Sequence, residues 1–338
     1  MLFKKLITIL FTTALIISHL NLIANNPDGK KTKQKKQKKI PENIEVFKHT
    51  FSIRPFYSNQ LTIFSLEDKK NQGKTIFYRP NAMGSVGVEI GYKRFKFSYA
   101  YKLPVSDNSI TKYGNTEYKS INFGYQSRVV GLNFYYFNFK SFYLHNPSQF
   151  YPEWTKDNPY PHRKDLSTFT FGFFSYFCFN KSFSINSAFS QNERQKKSAG
   201  SFMLLVADRF THIENNGSLI PLSEYSYYGN MNLFSTGSFN STIIAPGIGY
   251  NIIVKRLYFS PILLVGSGPQ IQSYNVGSKS RMRVKLPLYF NYKNAIGYNG
   301  KTFYTRVVYS IDINNIPLRD AKLKISFFTL IASAGFRF

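Results

Sequence analysis

Residues 84–102 read GSVGVEIGYKRFKFSYAYK. In the first half Val86, Val88, Ile90 and Tyr92 alternate with Gly87, Glu89 and Gly91. In the second half Phe95, Phe97, Tyr99 and Tyr101 alternate with Lys96, Ser98 and Ala100. Successive side chains of a strand point to opposite faces, so each half has one apolar and one polar face. The two halves predict strands joined by a tight turn around Lys93.

The same period recurs to the end of the chain. In 284–292, Val284, Leu286, Leu288, Phe290 and Tyr292 oppose Lys285, Pro287, Tyr289 and Asn291. In 303–313, Phe303, Val307, Tyr309, Ile311 and Ile313 oppose Tyr304, Arg306, Val308, Ser310 and Asp312. In the last segment, 323–338, Phe328, Leu330, Ala332, Ala334, Phe336 and Phe338 share a face. A soluble two-sheet sandwich also alternates. Three features favour a closed membrane-spanning wall instead. Aromatic residues mark the strand ends. The other face carries Gly, Ser, Asn and isolated charges, which suit a wet lumen. The chain also ends in a strand with a terminal phenylalanine, which resembles the carboxyl-terminal signature of bacterial outer-membrane barrels.

The expected fold is therefore all-β, a transmembrane antiparallel up-and-down β-barrel. Strands near 49–57, 83–92, 94–102, 116–126, 128–139, 168–179, 182–191, 198–213, 218–228, 239–253, 256–274, 281–298, 301–314 and 323–338 give about 14, with connections alternating short and long. A reading with 12 treats 214–238 as irregular and sets 49–57 outside the wall. Short turns on the periplasmic side, long loops outside and an even count are what such a barrel requires. Pro246, Pro261 and Pro287 lie inside expected strands, and each predicts a bulge or kink because it removes a ladder donor.

Ahead of the barrel, 1–24 reads as a signal peptide: Lys4 and Lys5 precede an apolar stretch, Leu6 to Ile17, and Ala24 is a cleavage position. Residues 25–44 read as a disordered periplasmic spacer holding KKTKQKKQKK at 30–39, with seven lysines in ten positions. The barrel is assigned to 45–338. Of the formal net charge of +27 over 338 residues, +8 belongs to residues 1–40. The remainder is spread out with no basic helix, and export argues against nucleic acid as a partner. A single cysteine excludes an intramolecular disulfide framework.

Chemistry-bearing clusters are few. His49, His145, His162 and His212 show no metal-ligand spacing, so neither a metal nor a cofactor is expected. Asp208 and His212 fall on one face of one strand and are the only weak candidates for a hydrolytic pair. Glu89, Lys96, Lys285, Arg306, Asp312 and Arg337 are placed in the lumen, where they pair with one another or meet water. Arg194, Lys196 and Lys197, at an expected outer turn, are candidates for binding an anion such as a lipopolysaccharide phosphate. The loop 140–167, with Trp154 and four prolines, either folds into the mouth or stays a surface loop.

Tyr78-Arg-Pro-Asn81 with Gly84–Pro104, and Glu193–Ser201 (ERQKKSAGS), resemble an uncharacterised family of exported proteins common in Bacteroidetes, a domain of unknown function. The resemblance implies an envelope location and a barrel-like all-β fold, and supplies no activity or catalytic residue. The function expected is a non-enzymatic outer-membrane barrel, a pore or a surface-binding protein. Its partners would be outer-membrane lipid, lipopolysaccharide and the barrel-assembly machinery. Two alternatives stand beside it: an outer-membrane hydrolase acting on lipid or peptide, and a structural or adhesion barrel with a plugged lumen.

Overall fold

A computed structural model describes residues 40–47, 51–70, 72–82 and 84–338. The expected signal segment, the lysine run and His49 lie outside the described residues. In chain order the strands are β1 (Ile44–Val46), β2 (Phe51–Asp68), β3 (Ile76–Arg79), β4 (Ser85–Tyr92), β5 (Phe95–Lys102), β6 (Glu117–Gln126), β7 (Val130–Leu144), β8 (His162–Cys178), β9 (Glu193–Gln195) and β10 (Ala199–Glu214). They continue with β11 (Phe234–Val254), β12 (Leu257–Ser267), β13 (Gln270–Val276), β14 (Lys279–Lys285), β15 (Leu288–Asn299), β16 (Phe303–Pro317) and β17 (Ala321–Arg337). Short helices are α1 (Asp107–Tyr113), α2 (Ile185–Phe189) and α3 (Tyr225–Tyr228).

Twelve of these strands form a closed antiparallel ring, β2-β4-β5-β6-β7-β8-β10-β11-β12-β15-β16-β17, in which each pairs with its sequence neighbour and β17 returns to β2. Closure leaves no unpaired edge, the condition for a wall in hydrocarbon. Three additions complete it. β3 bridges β2 and β7 at the loop end, and β13 and β14 extend the β12 and β15 lines into a hairpin arm. β1 and β9 form a separate two-stranded sheet.

The ring has the twelve strands of the alternative reading, and 215–233 is irregular as that reading expects, while the fifteen-stranded sheet as a whole comes close to the count of fourteen; only the placing of 49–57 outside the wall is corrected, because β2 belongs to it. The expected strand at 182–191 contains α2. Ser184 caps that helix by accepting from Ser187 N, and Ile185, Ala188 and Phe189 follow helical rather than strand spacing. The expected strand at 218–228 is a run of short helices that begins behind Pro221. With both removed, the connection 179–198 joins β8 to β10 at the tight-turn end. The long loops 145–161 and 215–233 lie at the opposite end.

The facing of the side chains follows the expected alternation. On β4 and β5 the outward Val86, Val88, Ile90, Tyr92, Phe95, Phe97, Tyr99 and Tyr101 are all exposed on the outer surface. The outward rows continue through Ile121 and Phe123 on β6, Ile244 and Ile248 on β11, and Leu330 and Phe336 on β17. This apolar belt is the surface expected of a barrel standing in lipid.

The prolines behave in two ways. Pro287 divides β14 from β15. The β11–β12 ladder lapses beside Pro246 and Pro261, yet its register is the same on both sides of each gap, so neither makes a bulge. A true register shift occurs between Lys140 and Phe142, where Ser141 takes a φ of 73°.

Inside, two packed masses fill the two ends. At the loop end an apolar core draws on strands all around the ring. Phe64 and Leu66 (β2), Phe139 and Phe142 (β7), Ile213 (β10), Phe239 (β11) and Leu323 (β17) meet Phe150, Leu219, Tyr228 and Met231 from the loops. At the turn end α2 and Phe183 pack against Met203, Leu205, Ile243, Tyr258, Ile262 and Val308.

The belt yields a direct expectation. Val88→Arg puts a cation on the outward face at mid-strand and should destabilise the barrel by about 2–4 kcal/mol in urea titrations of lipid-reconstituted protein. Leu222→Arg, on the 80% exposed Leu222 of the loop end, should cost little.

Candidate functional site

Between the two packed masses lies a polar chamber of about 300 Å³. It is lined by inward positions of β2, β4 to β8, β10 and β15 to β17, together with Ile185, Phe189 and Ser190 of the α2 segment. Ser98, Ser120, Asn122, Asn133, Asn291 and Ser310 give the walls hydroxyl and amide groups. The charged lining residues are Glu89, Lys96, Arg209, Lys293, Arg306 and Asp312.

These charges form two groups. In the first, Asp312 on β16 receives Arg209 of β10 across the lumen in a two-pronged pair, Nη1 to Oδ1 at 2.7 Å and Nη2 to Oδ2 at 2.9 Å. Arg209 Nε also donates to Tyr135 Oη at 2.8 Å, and Tyr289 Oη and Asn291 Nδ2 donate to Asp312. The guanidinium lies within 6 Å of the ring centres of Tyr135, Tyr289 and Phe327. Tyr135 reaches this position because Gly172 stands opposite it: a Cβ there would sit 2.5 Å from the Tyr135 hydroxyl.

In the second group one carboxylate serves three cations. Glu89 Oε1 lies 3.3 Å from both Arg54 Nη1 and Lys96 Nζ, and Oε2 lies 3.4 Å from Arg306 Nη2. These charges also hold the α2 segment. Arg54 Nη2 donates to Ser190 O at 2.8 Å, and Lys96 Nζ donates to Phe189 O at 3.4 Å. Tyr258 Oη donates to Ala188 O at 2.8 Å, and Asn299 Nδ2 donates to Ser187 O at 2.9 Å. Arg337, at the carboxyl end of β17, donates to the carbonyls of Gln191, Gly300 and Lys301 and to Asn299 Oδ1, with its guanidinium about 4 Å from the ring centres of Phe47 and Tyr304. The segment is further fixed by Glu193, which pairs with Arg128 at 3.1 Å and accepts from Ser184 Oγ.

The expected site residues are distributed as follows. Glu89, Lys96, Arg306 and Asp312 do line the lumen. Arg337 faces inward too, but below the chamber, where it clamps the 191 and 299–301 carbonyls. Lys285 stands on the β14 hairpin arm and is not among the chamber's lining residues. Arg194, Lys196 and Lys197 lie at the turn end rather than at an outer loop, because 179–198 is a turn-end connection. Arg194 is engaged by Glu45 across the β1–β9 sheet.

Asp208 and His212 face outward on β10 with Phe210 between them. Asp208 accepts from Thr242 Oγ1 at 3.0 Å, and His212 Nδ1 lies 2.9 Å from Ser238 Oγ. Each therefore has its own partner, and they form no dyad. Arg54, Arg209 and Lys293 were not singled out by sequence, although each lies on the polar phase of its strand's alternation.

Among the described residues the loop end carries separate ion pairs, Arg163 with Asp165 and Lys324 with Glu67, rather than a shared cluster. The loop 145–161 folds over the mouth: Phe150 and Pro147 are buried, and Trp154 stacks edge-on against Tyr160 at 4.8 Å. His145 begins that loop. Burial, with the nearby Arg79 guanidinium, holds it below the ordinary histidine value of 6.5.

The molecule is thus a closed β-barrel of the membrane-spanning kind, filled at both ends by its own chain around a charged chamber. The chain belongs to the family described as a domain of unknown function, DUF4421, which matches residues 42–338. This bears out the resemblance carried by Tyr78–Pro104 and Glu193–Ser201. None of the curated proteins matches the chain. Among solved structures, the outer membrane protease OmpT from Escherichia coli is similar over 86% of this chain and 97% of its own, at 7% identity and a TM-score of 0.37. The P. putida toluene transporter TodX is similar over 86% and 90%, at 8% identity and a TM-score of 0.29. Neisserial surface protein A is similar over 85% and 97%, at 8% identity and a TM-score of 0.24. The fold assignment rests on the strand pairing itself.

Two expectations follow from the charges. Arg209→Met leaves the half-buried Asp312 without its cation and should destabilise the barrel by about 2–3 kcal/mol in urea titrations, whereas Arg209→Met with Asp312→Leu should recover most of the loss. For His145, the unfolded chain takes up a proton near the ordinary value while the folded chain does not. Between the folded and ordinary values the unfolded state binds more protons, so stability falls as pH falls. The imidazole resonance of His145 should titrate below 6.5, and His145→Gln should reduce the loss of thermal stability between about pH 7 and about pH 5.

Proposed function

We propose that the protein is an integral outer-membrane barrel without enzymatic activity that binds rather than conducts, exported by a cleaved signal peptide and inserted by the barrel-assembly machinery. Its outer belt would contact membrane lipid, and its loop end would face lipopolysaccharide. The observation that carries the reading is the filling of both ends of the lumen: apolar core under the loops, and α2 with its ring of arginine, lysine and asparagine donors at the turns. A passive channel needs a continuous wet path, and packing of this kind at both ends favours a barrel without one. The hydrolase alternative loses its only candidates because Asp208 and His212 point out of the barrel to separate partners.

Planar-bilayer recording tests the reading. The intact protein should show no steady conductance, and a variant in which 180–197 is replaced by a short Gly-Asn turn should open stepwise currents. Steady conductance of the intact protein would contradict it.

A further inference from the structure

The charge balance of the chamber is uneven. Four cations and two carboxylates line it. Arg209 and Asp312 satisfy each other, and Glu89 is shared by Lys96 and Arg306, with Arg54 also drawing on it from behind, which leaves no carboxylate of the lining for Lys293. Lys293 shows the imbalance most clearly. Its ammonium lies 4.6 Å from the ring centre of Phe189, and among the described residues no ion pair or hydrogen bond is seen for it. It is within electrostatic reach of Arg306 and Glu89, so it adds a positive charge to a place that already holds one in excess. Arg306, only 8% exposed, has its Nε buried without a hydrogen-bond partner, and its contact with Glu89 is a single long one.

Unpaired cations in a low-dielectric interior attract whatever anion the space admits. The space here is about 300 Å³, room for several waters or a small ion. It is too small for a polymer and large enough for a phosphate or a short carboxylate. Hydroxyl and amide groups of Ser98, Ser310 and Asn122 line the same chamber and can complete the shell of such an ion.

We infer that the chamber is a binding site for a small oxyanion, held by Lys293, Arg306 and Lys96 beside Glu89. Arg54 keeps Glu89 occupied from the β2 side, so the lysines and Arg306 retain attraction for a ligand. The inference deepens the binding reading proposed above by naming its ligand class, and the closed lumen adds only that the ion is retained rather than passed on.

The test uses the full-length mature barrel, refolded in detergent and titrated calorimetrically with inorganic phosphate, with succinate and, as a cationic control, with choline. Phosphate or succinate should bind with a Kd tighter than about 1 mM, and choline should not. Lys293→Met should weaken binding at least about tenfold, whereas Lys285→Met, on the hairpin arm, should leave it unchanged. Absence of binding by both anions to the unmodified protein overturns the inference, whether or not the variants fold. Equal binding by a folded Lys293→Met variant overturns it too. Steady bilayer conductance by a protein that still binds phosphate would count against the closed lumen and leave the anion site standing. A non-conducting barrel that binds neither anion would do the reverse.

Discussion

Hydrocarbon offers a backbone amide nothing to bond to. Every N–H and C=O in the wall must therefore find its partner within the sheet, and the sheet must return to its first strand. The pairing of β17 with β2 from Ala321↔Asp68 down to Arg337↔Ser52 meets that demand, and the rest of the molecule follows from it. A closed wall has two faces with opposite solvents, so the period-two pattern sorts apolar side chains outward and polar ones inward. A twelve-strand ring also encloses more space than its own inward side chains fill, so something must occupy the ends.

What occupies them differs in kind. The loop end is closed by hydrophobic packing, which is non-directional and tolerates repacking. The turn end adds to such packing of Phe183, Ile185, Ala188 and Phe189 a set of directed bonds from wall to plug: Arg54 to Ser190, Tyr258 to Ala188, Asn299 to Ser187 and Arg337 to Gln191. Carbonyl oxygens of a short helical segment receive cations and amides that wall strands hold at fixed register. Glu89 ties three of the cations together, so the plug and the charge balance of the chamber are one system.

Much of this was legible in the sequence. The rows at 86–92, 95–101 and 328–338 face outward as their alternation requires, and Glu89, Arg306 and Asp312 face inward for the same reason. The failures have local causes. In 182–191, Phe183 and Ile185 mimic a strand, but Ile185, Ala188 and Phe189 have the i, i+3, i+4 spacing of a helix behind a serine cap. Once that segment is read as a strand, the following ERQKK motif is carried to the wrong end of the barrel, and Arg194 with it.

The alternation of Lys285 with Val284 and Leu286 points it to the lumen. Its alternation is right, but the strand it belongs to breaks at Pro287 and continues above the wall. Lys293 sits in the same phase just beyond the alternating stretch 284–292, and is in the lumen. Pairing across the barrel, such as Arg209 with Asp312, joins residues 103 positions apart and has no local trace.

The central claim is that one side of every wall strand touches lipid while the other does not. Spin labels placed singly along β5, with the buried Cys178 changed to serine, measure this directly through collision with oxygen and with a water-soluble nickel chelate. The account predicts that labels at 95, 97, 99 and 101 meet oxygen and escape nickel, while labels at 98 and 100 are shielded from oxygen. Free access of nickel to the odd-numbered positions, or no alternation at all, would contradict it.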